Sequence, residues 1–598
     1  MQRYSLQVNK PILCFKIMSK KLLFLTLYIS ISISYLSKAQ SVFTPLNQDY
    51  YHLIDRYEIK RGKFSEGFHT TVKPYTRKSI AQLVDSVQAD TSIYLSNQDK
   101  FNLEYLQNDS WEWAKPDTIG KSRKPIWNVF YHRKADAYSN SNDEIDIHAS
   151  PVFNFEIGSF EGQDGKRSLT LNTRGVEVRG MINRKVGFYT FLADNIAVIP
   201  DYVTDYVEKY NQNEQRTAGR LPGMPGEGLT KEYRQDKNST DFFSARAYIT
   251  FQATKNIQLQ FGHDKNIIGN GFRSMILSDN AAPYLFLKLN TAVGIFQYQN
   301  LWTQLVYTGF KPYDQIFPRK YMTSHHLSIN ISKKLNIGLS ESVVFQRDSV
   351  TGRGFDVNYL IPVMFFRYIE SYQGSADNAF IGLDFKYNFA KRFSLYGQFM
   401  LDEFSSREFF NGKGYWAKKF GVQAGGKYID VFGVNNLDYQ VEWNYARPYT
   451  YSHYDDANYT HYNQNLAHPL GANFEEWSHI IRWQPINKLQ LTGKVIYANF
   501  GEDRILTENW GGDVQKNYDT KSRKVLYNDL YGNYTGQGRS TVTTILDFRA
   551  SYQIKHNLFF EAHYMNRKYD SAVDKLDYTN TVSSIGIRWN VAARQMLF

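Results

Sequence analysis

IGLDFKYNF, residues 381–389, puts Ile381, Leu383, Phe385, Tyr387 and Phe389 on one side and Gly382, Asp384, Lys386 and Asn388 on the other. Side chains of an extended chain alternate between two faces, so this stretch is a strand with one apolar and one polar face. LDYQVEWNY (437–445) repeats the pattern, with Leu437, Tyr439, Val441, Trp443 and Tyr445 opposite Asp438, Gln440, Glu442 and Asn444. IQLQF (257–261), LSINI (327–331) and LQLTGKVIY (489–497) behave alike. Outward from these segments, alternation runs from about residue 126 to the C-terminus without a domain break.

Two architectures use such strands. A soluble sandwich turns the apolar face inward, whereas a membrane barrel turns it to lipid and the polar face to its lumen. The length of the alternating region, the aromatic residues near strand ends and an export signal favour the barrel. The expected fold class is all-β: a large antiparallel transmembrane β-barrel over 126–598, of about 16–20 strands with 18 favoured, since bacterial barrels use even counts. Expected long outer loops are 200–242, 348–378, 404–418, 446–476 and 502–540. The first holds the turn-rich RLPGMPGEG (220–228). The segment 585–598, IGIRWNVAARQMLF, reads as the closing strand, ending at Phe598.

The N-terminal part is different. Lys20 and Lys21, an apolar run from Leu22 to Leu36, and Ser37-Lys38-Ala39 read as a signal peptide over 1–39, cleaved after Ala39, with either Met1 or Met18 as the start. These residues hold Arg3, Lys10, Lys16, Lys20, Lys21 and Lys38 and no acid, so much of the formal +12 leaves with them. Residues 40–125 read as a periplasmic-side helical unit and linker. Apolar residues recur at helical spacing in 47–60 and 77–88, for example Ile80, Leu83, Val84 and Val87, and Ser96-Asn97-Gln98-Asp99 resembles a capping box. Residues 114–125 read as the linker.

Composition excludes several classes. The mean hydropathy of −0.49 does not fit a bundle of apolar helices, each of which needs about 20 apolar residues. An aromatic share of 16% does not fit disorder. Cys14 is the sole cysteine, so the chain has no internal disulfide and no cysteine-based metal site. The mild positive charge of the mature chain lacks the concentrated basic stripe of a nucleic-acid binder.

FGHDKNIIGNGFRSMILSDNAAPYLFLKL (261–289) resembles the signature segment of Wzi-type capsule-assembly outer-membrane proteins and of the related gliding-motility proteins of the RemB type. VKPYTR (72–77), LDEF (401–404), VEWNYARPYTYSH (441–453) and LAHPLGANFEEW (466–477) extend the resemblance from about residue 50 to the C-terminus. The resemblance implies an outer-membrane barrel with a helical unit at its periplasmic end. In Wzi-type members the outer surface acts as a lectin for exported polysaccharide; RemB-type members are linked to movement over surfaces. The chain's length leans toward the gliding-type branch. The expected function is therefore non-enzymatic: binding or organising surface polysaccharide, for capsule attachment or for gliding and adhesion. A porin-like diffusion channel is the alternative. Expected partners are outer-membrane lipid and surface polysaccharide, with other envelope or motility proteins as candidates.

Two clusters carry chemistry. Asp264, Asn270, Arg273, Ser278, Asp279 and Asn280 follow the strand at 257–262. They could bind sugar hydroxyls or a sugar carboxylate, Arg273 bidentately, or form an internal network that fixes strand register. GNG (269–271) is not a phosphate loop, because no Gly-Lys-Ser/Thr follows. The second cluster is Glu442, Arg447, His453, Asp455, Asp456, His461, His468, Asn473 and Glu475, amid Tyr445, Tyr449, Tyr451, Tyr454, Tyr459 and Tyr462. It reads as a sugar site or as a tyrosine-rich outer loop; its spacing matches no metal-ligand signature. The candidate polysaccharide-binding residues are Asp264, Asn270, Arg273, Asp279, Asn280, Glu442, Arg447, His468, Asn473 and Glu475. No cofactor is expected. No G-x-S-x-G or H-E-x-x-H motif points to catalysis.

Overall fold

The computed structural model describes residues 41–115, 130–142, 144–211, 223–228, 230–232, 236, 238–307, 317–346, 355–363, 366–373, 377–403, 406–410, 412–453, 457–505, 507–518 and 530–598. The expected signal peptide and most of the expected linker lie outside the described residues.

The alternating segments form one closed antiparallel barrel of 18 strands. In chain order these are β1 (Ile145–Gly162), β2 (Gly165–Ile182), β3 (Val186–Val198), β4 (Ser239–Gln252), β5 (Ile257–Asp264), β6 (Tyr284–Val293), β7 (Phe296–Val306), β8 (Arg319–Asn330) and β9 (Leu335–Gln346). They continue with β10 (Asn378–Phe389), β11 (Phe393–Glu403), β12 (Lys419–Tyr428), β13 (Leu437–Ala446), β14 (Phe474–Ile486), β15 (Leu489–Glu502), β16 (Arg539–Lys555), β17 (Leu558–Ser571) and β18 (Tyr578–Trp589). Each strand pairs with its neighbour in sequence, and β18 closes onto β1 with Trp589 opposite Phe153. The exposure pattern is that of a protein whose solvent is lipid. Ile381 and Leu383 are 46% and 48% exposed, while Asp384 and Lys386, next along the strand on its other face, are 3% and 1% exposed. The apolar face therefore points outward around the wall and the polar face inward, the membrane-barrel solution.

Alternate connections are short turns, and these define one end; the long connections 199–238, 265–283, 347–377, 404–418, 447–473 and 503–538 share the other. These include every long loop expected from the sequence.

The N-terminal helices are α1 (Gln48–Arg61), α2 (Arg77–Gln88) and α3 (Asn97–Asp109). Their caps are local and complete. Asn47 Oδ1 accepts from the amides of Asp49 and Tyr50, Thr76 caps α2, and Ser96 with Asp99 forms the expected capping box. Gly62, at φ 66°, ends α1 in the left-handed conformation. Ile54, Tyr57, Ile80, Leu83, Val84, Val87, Leu103 and Leu106 make the unit's own core.

This unit fills the short-turn mouth of the barrel. Arg56 reaches Asp99, Asp430 and Asp438, and Lys60 Nζ reaches Asp99 at 2.7 Å and Asp430 at 2.9 Å. Asn102 and Gln484 exchange two side-chain hydrogen bonds, of 2.7 and 3.0 Å. Lys386 and Lys427 from the wall grip Asp55. Two strands along the wall from Lys386, His69 Nδ1 meets Ser328 Oγ at 2.7 Å.

The C-terminus differs from expectation. The closing strand ends at Trp589, and residues 590–598 turn into the lumen instead of extending the wall. Phe598 stacks on Tyr206 with ring centres 4.0 Å apart, Arg567 Nε donates to its carbonyl at 3.0 Å, and Lys494 Nζ donates to Gln595 Oε1 at 2.9 Å. The physical reason lies in the sequence of the tail. Arg594, Gln595 and Phe598 find polar and aromatic partners inside that lipid could not offer.

Candidate functional site

Residues 265–283 leave the long-loop end and descend into the lumen. Ile267–Ile268 pair antiparallel with Val72–Lys73 of the helical unit, so two chain segments remote in sequence meet inside the barrel. Beyond that bridge the chain passes so close to Glu442 that a Cβ on Gly271 would lie 2.4 Å from Glu442 Oε2; only glycine fits there. Glu442 is fully buried and fully satisfied. It accepts from the amides of Phe272 (2.6 Å) and Arg273 (2.9 Å), from Tyr396 Oη (2.8 Å) and from Asn444 Nδ2 (3.0 Å). The guanidinium of Arg273 then forks onto Glu476, with both contacts at 3.2 Å, and also donates to the Leu597 carbonyl. Glu476 takes a third partner, His468 Nε2, at 3.0 Å.

Arg273, Glu442 and His468 are thus brought together: Glu476, which was not among the candidate binding residues, takes the Arg273 and His468 side chains, and Asn444 Nδ2 bridges it (3.3 Å) to Glu442 (3.0 Å). Its neighbour Glu475 lies on the outward face and accepts from Trp443 Nε1 at 2.9 Å. Asn270 Nδ2 donates to Thr71 Oγ1 at 2.9 Å, and Asn280 Nδ2 to the Asn465 carbonyl at 3.0 Å. Lys265 Nζ donates to the Asp279 carbonyl at 2.8 Å, and Asp264 Oδ1 accepts the Lys265 amide at 2.8 Å. Arg447 stitches loops together, donating to the carbonyls of Lys418, Tyr415 and Asn533 at 3.3, 3.4 and 3.1 Å. Asn473 does the same, donating to Gln537 (2.9 Å) and Gly501 (3.1 Å) and accepting from the Gly536 amide (2.7 Å).

The tyrosines expected on an outer loop are largely inside. Tyr449, Tyr451 and Tyr459 are buried, the last two as part of the lumenal core. Asp455, Asp456 and Tyr454 lie outside the described residues. His461 is a buried bridge between the Val306 amide (2.9 Å) and the Pro283 carbonyl (3.1 Å), and burial pushes its imidazole down to about 3. Among the described residues no group of three or more His, Cys, Asp or Glu could hold a metal ion.

Among the described residues, two surfaces stand open to a ligand. One is an internal chamber of about 370 Å³, bounded by the helical unit, residues 265–280 and the C-terminal tail. Lys73, Arg77, Arg179, Arg246, Lys265, Arg273, Lys427, Arg482, Arg588 and Arg594 line it and outnumber Asp55, Asp109, Asp136, Glu177, Glu227 and Asp279. Burial and the nearby Lys427 push the Lys73 amine down to about 7; burial and Arg246 push Lys265 down to about 8. Asn270, Arg273, Asp279 and Asn280 of the sequence candidates face this chamber.

The other surface is an aromatic rim where residues 412–418 meet 530–538. Tyr415 and Tyr531 lie 5.6 Å apart, Trp416 packs on Tyr518 at 4.8 Å, and Tyr534 is 63% exposed. Sequence reading placed loops there but named no residue, because nothing in the periodicity brings the two loops together.

The assembly is a barrel of outer-membrane type, stoppered by its own helical unit and laced by its long connections. The chain belongs to the capsule assembly protein Wzi family, whose sequence pattern matches residues 171–586, more than half of the chain. The solved structure of Wzi from Escherichia coli is described as an outer-membrane protein involved in group 1 capsule assembly and as a carbohydrate-binding β-barrel. It is 14% identical, with a TM-score of 0.53, and the alignment covers 93% of this chain and 100% of that one. OprD of Pseudomonas aeruginosa is 11% identical, with a TM-score of 0.37, over 73% of this chain and 94% of that one. OccAB2 of Acinetobacter baumannii is 9% identical, with a TM-score of 0.40, over 74% and 98%. Among curated protein sequences none matches. The likeness to the Escherichia coli barrel concerns the fold.

Proposed function

We propose that this protein holds surface polysaccharide to the cell by binding it at the long-loop end of the barrel, without chemical turnover. The observation that carries this reading is the stopper. Helices α1–α3 and residues 265–283 meet inside the lumen, so the long connections form a display surface and not the mouth of a channel. A porin-like role has the filled lumen against it. The carbohydrate binding described for the Escherichia coli protein supports the same reading for this chain.

Tyr415, Tyr531 and Tyr534 offer ring faces on which a pyranose can stack, and Arg447 fixes the two loops beneath them. The chamber's excess of cations suits acidic sugars at the inner edge, through Asn270, Arg273, Asp279 and Asn280. Glu442, His468, Asn473 and Arg447 serve as scaffold, and Glu475 faces the membrane side. The same grip on glycan serves capsule attachment or, on the gliding-type reading, adhesion during movement. The test is binding of the cells' own isolated polysaccharide to the purified full-length barrel in lipid nanodiscs. Tyr531→Ala with Tyr534→Ala should weaken binding by tenfold or more, the order expected from two lost stacking contacts of about 1 kcal/mol each. Unchanged binding would remove the rim from the proposal.

A further inference from the structure

One part of the outer wall is polar at lipid depth. Asn300 on β7, His325 on β8 and Glu341 on β9 are direct cross-strand neighbours on the outward face. The same row continues into Leu289 on β6 and Ile381 on β10, which belong to the lipid-facing apolar series. Yet Asn300, His325 and Glu341 are buried, as are Val343 and Phe345 above them. The cover is the described part of the β9–β10 connection, residues 355–363 and 366–373. It folds back over the outside of the barrel. Phe366, on the helix Phe366–Gln373, packs on the His325 ring at 4.1 Å, Tyr359 stacks on Phe345 at 4.6 Å, and Trp302 Nε1 donates to the Tyr359 carbonyl at 3.0 Å.

The flap's other face is also apolar. Val357, Leu360, Ile361, Val363, Tyr368 and Tyr372 are exposed, the last by 82%. An apolar patch of this kind in water would be a liability. Here it continues the lipid-facing surface, because it lies against the wall beside the exposed Ile381 and Leu383. Tyr368 and Tyr372, one helical turn apart and stacked, pair an apolar ring with a polar tip, the side chain favoured where acyl chains meet headgroups.

We propose that this flap is immersed in the membrane. It shields the Asn300–His325–Glu341 row from acyl chains and presents its own outer face to lipid, so it anchors the barrel laterally and does not form part of the glycan surface. A docked partner protein is the competing occupant.

Cys14 is the sole cysteine, so a Cys14→Ser background accepts single spin labels. Labels at Val363→Cys and Tyr372→Cys would be compared with Leu339→Cys on the lipid-facing wall and Tyr94→Cys on the exposed helical unit, all in purified, folded protein in phosphatidylcholine vesicles. The readout is relative collision with oxygen and with a water-soluble nickel chelate. The expected result is oxygen-dominated collision at 363 and 372, as at 339 and opposite to 94. Chelate-dominated collision would place the flap in water and overturn the proposal. Low accessibility to both reagents, with no partner present, would mean a second copy covers the flap and would overturn it equally.

Discussion

Glu475 and Glu476 are adjacent in sequence and opposite in consequence. Glu476 is buried, with Arg273, His468 and Asn444 converging on it. Glu475 faces outward and shares one hydrogen bond with Trp443. Removing one partner of a buried charged pair costs about 3–5 kcal/mol, because the stranded charge cannot be solvated. Losing one half-exposed hydrogen bond costs about 0.5–1.5 kcal/mol. Glu476→Ala should therefore lower the temperature at which the folded, heat-modifiable form of the purified protein is lost, by clearly more than Glu475→Ala does. Equal shifts would contradict the internal clamp. The sequence reading named Glu475 and not Glu476, although the periodicity of the strand separates them. Trp477, Ile481 and Trp483 set the outward parity of β14, and that parity sends Glu475 out and Glu476 in. The partners of Glu476 were not legible, since Arg273 and His468 arrive from connections whose paths no periodicity describes.

At the scale of elements, ion pairs at Asp55, Asp430 and Asp438 join the helical unit to the wall, so its docking is a function of pH. Burial alone would raise the Asp55 carboxyl, but Lys386 and Lys427 hold it well below the usual carboxylate range. Arg77, within the unit, and His556 of the β16–β17 turn do the same for Asp109, and Arg56 and Lys60 for Asp430. A carboxyl with a lowered pKa in the docked state contributes stability that is complete above its ordinary value, about 4, and is lost as the pH falls below it. Glu58, which burial pushes up, works the other way, against these three. Limited proteolysis of the α2–α3 region in folded protein should accordingly be flat from pH 7 to about 5 and rise steeply below about 4. A rise centred near pH 6 would point to histidines instead. The helices themselves were readable, since Asn47, Thr76 and Ser96 are local caps and the spacing of Ile80, Leu83, Val84 and Val87 fixes a face. Their place inside the barrel mouth was not, because docking depends on lysines and aspartates more than 300 residues away. The tail 590–598 was misread for a related reason. Ile585, Ile587 and Trp589 alternate well, and only internal partners for Arg594 and Phe598 reveal that the strand has ended.

At the scale of the molecule, segments of the chain fill the barrel from both ends. The helical unit enters from one end, residues 265–283, 447–453 and 457–473 from the other, and the C-terminal tail lies between them. A wall of 18 strands follows from one alternating pattern repeated along the chain, and its strand number was within reach of the sequence. What fills the wall was not, since period-two alternation describes only the residues that make it. On the proposed reading, the filled lumen turns function outward, to the rim and its loops. The most direct measurement of that claim is the partition of polysaccharide between cells and medium in a strain lacking this protein, at equal total synthesis. A shift from cell-bound to shed material, reversed by the wild-type protein and less well by the Tyr531→Ala, Tyr534→Ala form, is the predicted result. Polysaccharide that stays cell-bound without the protein would contradict it.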